Sequence, residues 1–317
     1  MTRLLPVLGL VGWFILPNHL VPALKIASDV GTIEHTPGRI AIEDYYEGDA
    51  QIVGGGITAL VSDSSVDLGT NAEIPSLRTY ATHKNLRIIY TMTETYYRIV
   101  ANASVVPSLE DLRGKRIGTL PGSTAAYFVE KYLATVGLES TDYTLASGSP
   151  CSAAPCGRGT LPYQLATGVI DAVAIWEPTP ELAVQALGPD AIVFQDRSVY
   201  RELVNLHSTV EKLADPVSRS EIVDFVRALN KAEEVFRTKP ETVWDRVASA
   251  LGVNASVIEA VFPIHAWRGT LAPDLLDVLV TEDPWVAKAN NRAALSVEDL
   301  ADLIDSSVLD EVLRMED

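Results

Sequence analysis

After residue 23, short β-branched runs alternate with amphipathic or loop-like stretches, and this alternation most constrains the fold. It predicts mostly parallel sheets with helices on both faces, because parallel strands need crossover connections. From about Pro216 the pattern becomes helical, with one helix between Ser220 and about Pro240 and a last one capped by Ser296. A chain of 317 residues can form two domains or two lobes. The predicted strands are Leu24–Ser28, Gln51–Val53, Val66–Leu68, Leu86–Tyr90, Arg98–Ala101, Arg116–Leu120, Ala172–Trp176 and Ile192–Gln195.

The charge balance excludes several classes of partner. The chain carries 42 acidic against 25 basic residues, a net charge of −17. Nothing therefore supplies the basic surface that nucleic acid or an anionic membrane requires. Two cysteines and five scattered histidines offer no obvious zinc ligand set, so we predict neither a metal nor a cofactor.

Residues 1–23 have the pattern of a signal peptide. Arg3 precedes an apolar run, Leu4–Leu16, that is too short to span a bilayer, and a small residue stands at Ala23. The alternative is an anchor or a mispredicted start. We expect a secreted, extracytoplasmic protein, periplasmic if bacterial and extracellular if eukaryotic, with no stable membrane insertion.

Export also bears on the cysteines and on two asparagines. In an oxidising compartment, Cys151 and Cys156 would join as a local disulfide within a loop rich in Pro, Gly and Ser. The alternative is two free thiols, one of them a nucleophile. Asn102 and Asn254 each begin an Asn-Ala-Ser triplet, so both are candidate glycosylation sites.

Several loops that follow predicted strands carry residues suited to a ligand. Two glycine-containing turns, 54–60 and 120–126, lead into helices whose free amides can bind an anionic or polar group, although such turns are more often only turns. Trp176 and Glu177 end a strand where open α/β sheets expose their ligands, and core packing of Trp176 is an equal alternative. Glu34 and His35 follow the first strand, although a lone histidine is usually structural.

These stretches together resemble a known family. The matching segments are LKIASDVGTIEHTP at 24–37, IVGGGITAL at 52–60, VDLGTNAEIPSL at 66–77, SLEDLRGKRIGTLPGSTAAYFVEKYLATVGL at 108–138, LATGVIDAVAIWEPTPELA at 165–183 and SVEDLADLIDSSVLDE at 296–311. In this order they resemble the nitrate, sulfonate and taurine family of ABC-type extracytoplasmic solute-binding proteins, within the thiamine-pyrimidine synthase-like superfamily.

The resemblance implies a two-lobed α/β Venus-flytrap fold, the type II periplasmic binding protein fold, with a ligand cleft between the lobes. The implied division is 24–95 plus 203–317 for lobe 1 and 96–202 for lobe 2, with chain crossings near Thr95–Tyr97 and Tyr200–Asn205. The implied ligand-binding residues are Thr32, Glu34, His35, Gly55, Gly56, Ile57, Thr58, Asn71, Glu73, Tyr96, Tyr97, Gly122, Ser123, Thr124, Trp176 and Glu177. A packing role for Tyr96 and Tyr97 is an equal alternative.

The expected function is binding of a small polar organic solute by lobe closure, without catalysis. The solute would be a taurine-like aminosulfonate or an aminopyrimidine-like ring, and the protein would be a monomer that serves an ABC permease if the source is bacterial. One alternative is a desulfinase-like or pyrimidine-synthase-like enzyme that uses His35 or, less securely, His207. Another is an interaction module whose cleft is filled by its own side chains.

Overall fold

The computed structural model describes residues 23–28 and 31–316. Nearly all of the predicted signal peptide, residues 1–22, lies outside this range. Eleven strands are described: Leu24–Ala27 (β1), Ala50–Val53 (β2), Leu68–Ala72 (β3), Leu86–Thr95 (β4), Ile99–Asn102 (β5), Arg116–Thr119 (β6), Thr144–Ser147 (β7), Ala172–Val173 (β8), Ala191–Phe194 (β9), Glu202–Thr209 (β10) and His265–Ala266 (β11).

Thirteen α-helices lie between and after these strands in the described part of the chain. They are Thr36–Asp44 (α1), Gly56–Ser62 (α2), Glu73–Tyr80 (α3), Thr124–Ala134 (α4), Leu161–Ala166 (α5), Thr179–Leu187 (α6), Val210–Ala214 (α7), Pro216–Thr238 (α8), Trp244–Leu251 (α9), Ala255–Val261 (α10), Leu275–Ala289 (α11), Val297–Asp302 (α12) and Ser307–Glu316 (α13). As predicted, the Ser296 hydroxyl caps α12 by accepting from the Asp299 amide, but α13 follows it, so α12 is not the last helix.

The strands form two sheets. The first has the order β11-β4-β10-β3-β1-β2, and the second has the order β7-β6-β8-β5-β9. The chain leaves the first sheet after β4, builds the second from β5 to β9, and returns to the first as β10. The precise lobe boundaries given above stay a prediction.

Both sheets are mixed, which corrects the expectation of mostly parallel sheets. Parallel pairing is confined to β1 with β2 and β3, and β6 with β7 and β8, among the described strands. β10 lies antiparallel between β3 and β4, and β5 lies antiparallel between β8 and β9. Each antiparallel pair among the described strands includes β4, β5 or β10, the strands at which the chain crosses between the two sheets.

Two hydrophobic cores support the sheets. One packs α8 and α1 against the first sheet, with Phe225, Phe236 and Leu206 fully buried. The other fills the second sheet around Phe128 and continues to Ile74 of α3. The second core therefore runs through the crossing region and joins the two halves of the molecule.

A smaller cluster joins α6 to the α9–α10 region. Cys151 and Cys156 form a disulfide there, and Cys151 packs with Leu182 and Val257. The Cys151 amide donates to the Thr179 hydroxyl, which in turn donates to the Cys151 carbonyl, both at 3.0 Å. The cysteine loop is thus bonded to the first residue of α6, three positions after Trp176.

The candidate glycosylation sites differ in exposure, and Asn254 is the exposed one. Asn102 is half-buried, and its side-chain oxygen accepts from the amide and hydroxyl of Ser104. Within the described residues no single helix is long and apolar enough to cross a membrane. One bent pair, Trp244–Leu251 with Ala255–Ile264, meets those criteria only jointly, across a bend of 108°.

Candidate functional site

A cleft of about 620 Å³ opens where the loops of the two sheets face each other. Its walls come from the segments that follow β1, β2 and β3 of the first sheet and β6 and β8 of the second. The carboxyl ends of parallel strands are where open α/β sheets place ligands, and this volume suits a small organic molecule. The lining residues are Ser28, Thr32, Glu34, His35, Gly54, Gly55, Gly56, Thr70, Asn71, Ala72, Pro75, Arg78, Leu120, Pro121, Gly122, Ser123, Thr124, Trp176, Glu202 and Val204.

Ten of the sixteen residues predicted to bind a ligand line this cleft. The first sheet contributes six and the second contributes four, so both sides are represented. The ten are Thr32, Glu34, His35, Gly55, Gly56, Asn71, Gly122, Ser123, Thr124 and Trp176. Trp176 is half-buried, so its ring contributes a face to the cleft as well as packing against the core.

Four predicted residues face elsewhere for reasons of packing. Ile57 is fully buried in the core beneath α2, and Thr58, on the same helix, is exposed. Tyr97 is buried at the first crossing, with its ring centroid 5.4 Å from that of Phe128. The ring of Tyr96 packs beneath the guanidinium of Arg197 at 5.2 Å. The packing alternative therefore describes both tyrosines.

The other two are carboxylates already bonded within the protein. Glu73 is fully buried and accepts from the hydroxyl of Tyr200 and, at 2.9 Å, from the amide of Leu203. Glu177 accepts from Nε of Arg98 at 2.7 Å, with only 3% of its side chain exposed. Neither is among the residues that line the cleft.

Glu34 is the carboxylate that remains for a ligand. It is 2% exposed and lines the cleft, and neither side-chain oxygen makes a hydrogen bond of good geometry within the described residues. Burial raises the pKa of Glu34, but the hydrogen bond and charge of His265, whose Nε2 lies 3.5 Å away, together with a backbone hydrogen bond and the charge of His35, bring the pKa below its ordinary value. Glu34 is therefore an ionised, under-coordinated acceptor on the cleft wall.

Glu202 lines the same cleft, and its pKa is shifted in the opposite direction. Burial, together with the charges of Glu73 and Glu34, raises its pKa well above the ordinary value. Its Oε1 accepts from the Tyr97 hydroxyl at 3.0 Å. The cleft thus holds two carboxyl groups whose pKa values are shifted in opposite directions, Glu34 downward and Glu202 upward.

The glycine loops shape the two ends of the cleft. Gly56 has φ +52°, and a Cβ there would meet the carbonyl oxygen of Thr70 at 2.8 Å, so only glycine fits this close approach. Gly122 has φ +75° and precedes Ser123, the residue before α4. The Ser123 hydroxyl donates to the Leu120 carbonyl at 2.6 Å, which fixes the turn and leaves the first amides of α4 beside the cleft.

The sequence reasoning missed Arg78 and Glu202, the two charged additions to the lining set. Arg78 lies on α3 one turn after Pro75, which also lines the cleft, so the helical spacing of these two residues could have found it. Glu202 begins a strand that the sequence did not reveal. His207, the less secure catalytic candidate, lies away from the cleft. It contacts the hydroxyl of Ser76 at 2.7 Å, and burial lowers its pKa to about 4.

A family model described as NMT1/THI5 like matches residues 52–243, more than half of the chain. The chain therefore belongs to the NMT1/THI5-like family. No curated protein matches it significantly in sequence.

Among solved structures, the chain is similar to the alkanesulfonate-binding protein SsuA from Xanthomonas axonopodis pv. citri bound to MOPS, with a TM-score of 0.70 and 19% identity over 89% of this chain and 98% of that one. It is also similar to the periplasmic aliphatic sulphonate binding protein SsuA from Escherichia coli, with a TM-score of 0.70 and 18% identity over 87% and 91%. A third similar structure is a mutant of DSZB in complex with biphenyl-2-sulfinic acid, with a TM-score of 0.64 and 16% identity over 92% and 99%. These matches confirm the predicted resemblance and the two-lobed α/β fold.

Proposed function

We propose that this protein binds a small polar organic solute outside the cytoplasm, and that the two lobes close around it. The observation that carries the proposal is Glu34, an ionised and nearly buried carboxylate on the wall of a roomy cleft with no good hydrogen bond of its own. Its ionic contact with His265 at 3.5 Å leaves both carboxylate oxygens without a close hydrogen bond, so a ligand that donates to them is favoured. In a bacterial source the solute would pass to an ABC permease.

The solute class follows from the charges around the cleft. Glu34 favours an N–H-bearing or cationic group, whereas Arg78 and the first amides of α4 favour an anionic or carbonyl group. An aminosulfonate satisfies both requirements, and an aminopyrimidine-like ring could stack on Trp176. Bare nitrate or sulfate would bring a second negative charge near Glu34 and has no N–H group that could donate to it.

The names of the similar structures support this class. Two are described as sulfonate-binding proteins, and one of them is bound to MOPS, which carries both an amine nitrogen and a sulfonate. DSZB, described as a desulfurization enzyme, shares the fold and favours a second candidate in which the bound solute is converted. His35, which lines the cleft, would then be the acid or base. Product formation that disappears in His35→Ala while affinity survives would establish that second function.

A thermal-shift panel tests the solute class. We expect aminosulfonates or aminopyrimidines at about 100 times their dissociation constant to add about 2.7 kcal/mol to the free energy of unfolding, or about 5 °C in Tm. Nitrate and sulfate at the same concentrations should raise the free energy of unfolding, and the Tm, by less than either class of solute. In Glu34→Gln the shift should shrink, whereas Glu139→Gln, an exposed glutamate, should behave as the wild type. A larger shift with the bare anions than with any amine-bearing solute would contradict the assignment.

A further inference from the structure

Arg78 makes a direct bond across the cleft. Its Nη2 donates to the carbonyl oxygen of Gly122 at 2.5 Å, although the two residues are 44 positions apart and lie in segments that follow strands of different sheets. Gly122 has φ +75°, and this conformation, available mainly to glycine, sets the direction of its carbonyl group. One guanidinium thus ties α3 on one side of the cleft to the turn before α4 on the other.

The same guanidinium is positioned to meet an anion. Among the described residues that line the cleft, Arg78 is the only lysine or arginine. Its bond to Gly122 occupies one of five N–H donors, and it lies at the amino end of α4, where the helix dipole is also positive. Two positive groups placed together are unfavourable until an anionic group comes between them.

We propose that Arg78 is a specificity-determining residue that couples recognition of an anionic group on the solute to closure of the cleft. The inference rests on the proposed function and deepens it. A sulfonate or carboxylate would accept from the remaining N–H donors of Arg78 and from the first amides of α4. Such a group therefore strengthens the contact that already draws the two sides together. A solute with a neutral group at that end would still bond to Glu34, but it would lack the anionic contacts with Arg78 and the first amides of α4.

The test compares Arg78→Gln and Arg78→Lys with the wild type and with Arg113→Gln. Arg113 is an exposed arginine paired with Asp142, so its replacement changes the net charge equally, away from the cleft. The probes are taurine and ethanolamine, which share an aminoethyl group and differ in bearing a sulfonate or a hydroxyl. Two quantities are measured on the full-length secreted protein: the affinity ratio for the two probes by calorimetry, and the radius of gyration without solute by X-ray scattering. Thermal unfolding checks that each variant is folded.

We expect Arg78→Gln to lower the preference for taurine by about 10- to 100-fold and to enlarge the radius of gyration, because the cross-cleft bond is gone. Arg78→Lys keeps the positive charge but loses the forked N–H donors of the guanidinium, so its taurine preference and its radius of gyration should lie between those of the wild type and Arg78→Gln. Arg113→Gln should have the same affinity ratio and the same radius of gyration as the wild type. If Arg78→Gln keeps either the wild-type preference or the wild-type radius, the coupling is wrong. If the wild type binds neither probe, the aminosulfonate proposal fails, while the scattering comparison still decides the role of Arg78.

Discussion

An Arg98→Met variant is expected to lose about 3–5 kcal/mol of unfolding free energy, because it leaves a buried carboxylate without its partner. Arg98 donates to Glu177 through Nε at 2.7 Å and to Glu181 through Nη2 at 3.0 Å, and its side chain is only 11% exposed. Glu177 is nearly inaccessible, so water cannot replace the lost guanidinium. Urea unfolding followed by circular dichroism measures the change.

Two controls separate the buried charge from other effects. Arg98→Met combined with Glu177→Gln removes both charges and should recover much of the loss. Arg116→Met breaks the pair of Arg116 with Asp171, in which the arginine side chain is 48% exposed, and should cost no more than about 1 kcal/mol. A loss for Arg98→Met as small as that for Arg116→Met would show that the Glu177 pair does not stabilise this loop.

A Glu73→Gln variant is expected to become more stable than the wild type as pH rises from 5 to 8. Burial raises the pKa of Glu73 to about 7, against the bonds from Tyr200 and Leu203 and the charge of Arg201. A carboxyl group with a raised folded-state pKa contributes stability below its unfolded pKa of 4.5, and that contribution is lost as pH rises through about 7. Glutamine has no such dependence, so the difference should reach on the order of 3 kcal/mol at pH 8.

The neighbourhood of Glu73 decides how this must be measured. Burial also raises the pKa values of Glu202 and Glu282 well above normal, with Glu73 contributing to both. His207 acts in the opposite direction, since its lowered pKa costs stability below its unfolded value of 6.5. The stability difference between variant and wild type at each pH removes the contribution of His207, and its slope reports Glu73 together with the two carboxyl groups whose pKa values its charge raises.

Changed hydrogen bonds at position 73 would shift that difference equally at every pH, so its slope is the diagnostic quantity. Glu110→Gln, an exposed glutamate, is the matched control and should show no slope. A Glu73→Gln profile parallel to the wild type between pH 5 and 8 would mean that the buried carboxyl group is ionised throughout.

The sequence predicted the parts of the fold whose pattern is local. Each of the eight predicted runs overlaps a described strand, although Val66–Leu68 shares only Leu68 with β3, and the cleft loops followed because they come after those strands. The strand Glu202–Thr209 was missed because Glu202, Asn205 and His207 are polar yet buried. Helix α11 was missed for a similar reason, since it contains Pro284 and the buried acids Glu282 and Asp283.

The site residues divide in the same way. Gly56, Gly122 and Trp176 were found because their positions after strands bring them to one edge. Glu73 and Glu177 lie outside the cleft lining because each is bonded to a distant partner that the sequence does not show, Tyr200, 127 residues away, for one and Arg98, 79 residues away, for the other. Only the tertiary structure distinguishes these satisfied carboxylates from Glu34.

The central claim is that the cleft binds a small amine-bearing solute through Glu34, and calorimetric titration of the purified protein tests it most directly. The account predicts a saturable one-to-one isotherm with at least one aminosulfonate or aminopyrimidine, weakened about 10- to 100-fold in Glu34→Gln. A folded wild-type protein that gives no saturable heat with any member of the panel would contradict it. A solute that binds the wild type and Glu34→Gln with the same affinity would also contradict it.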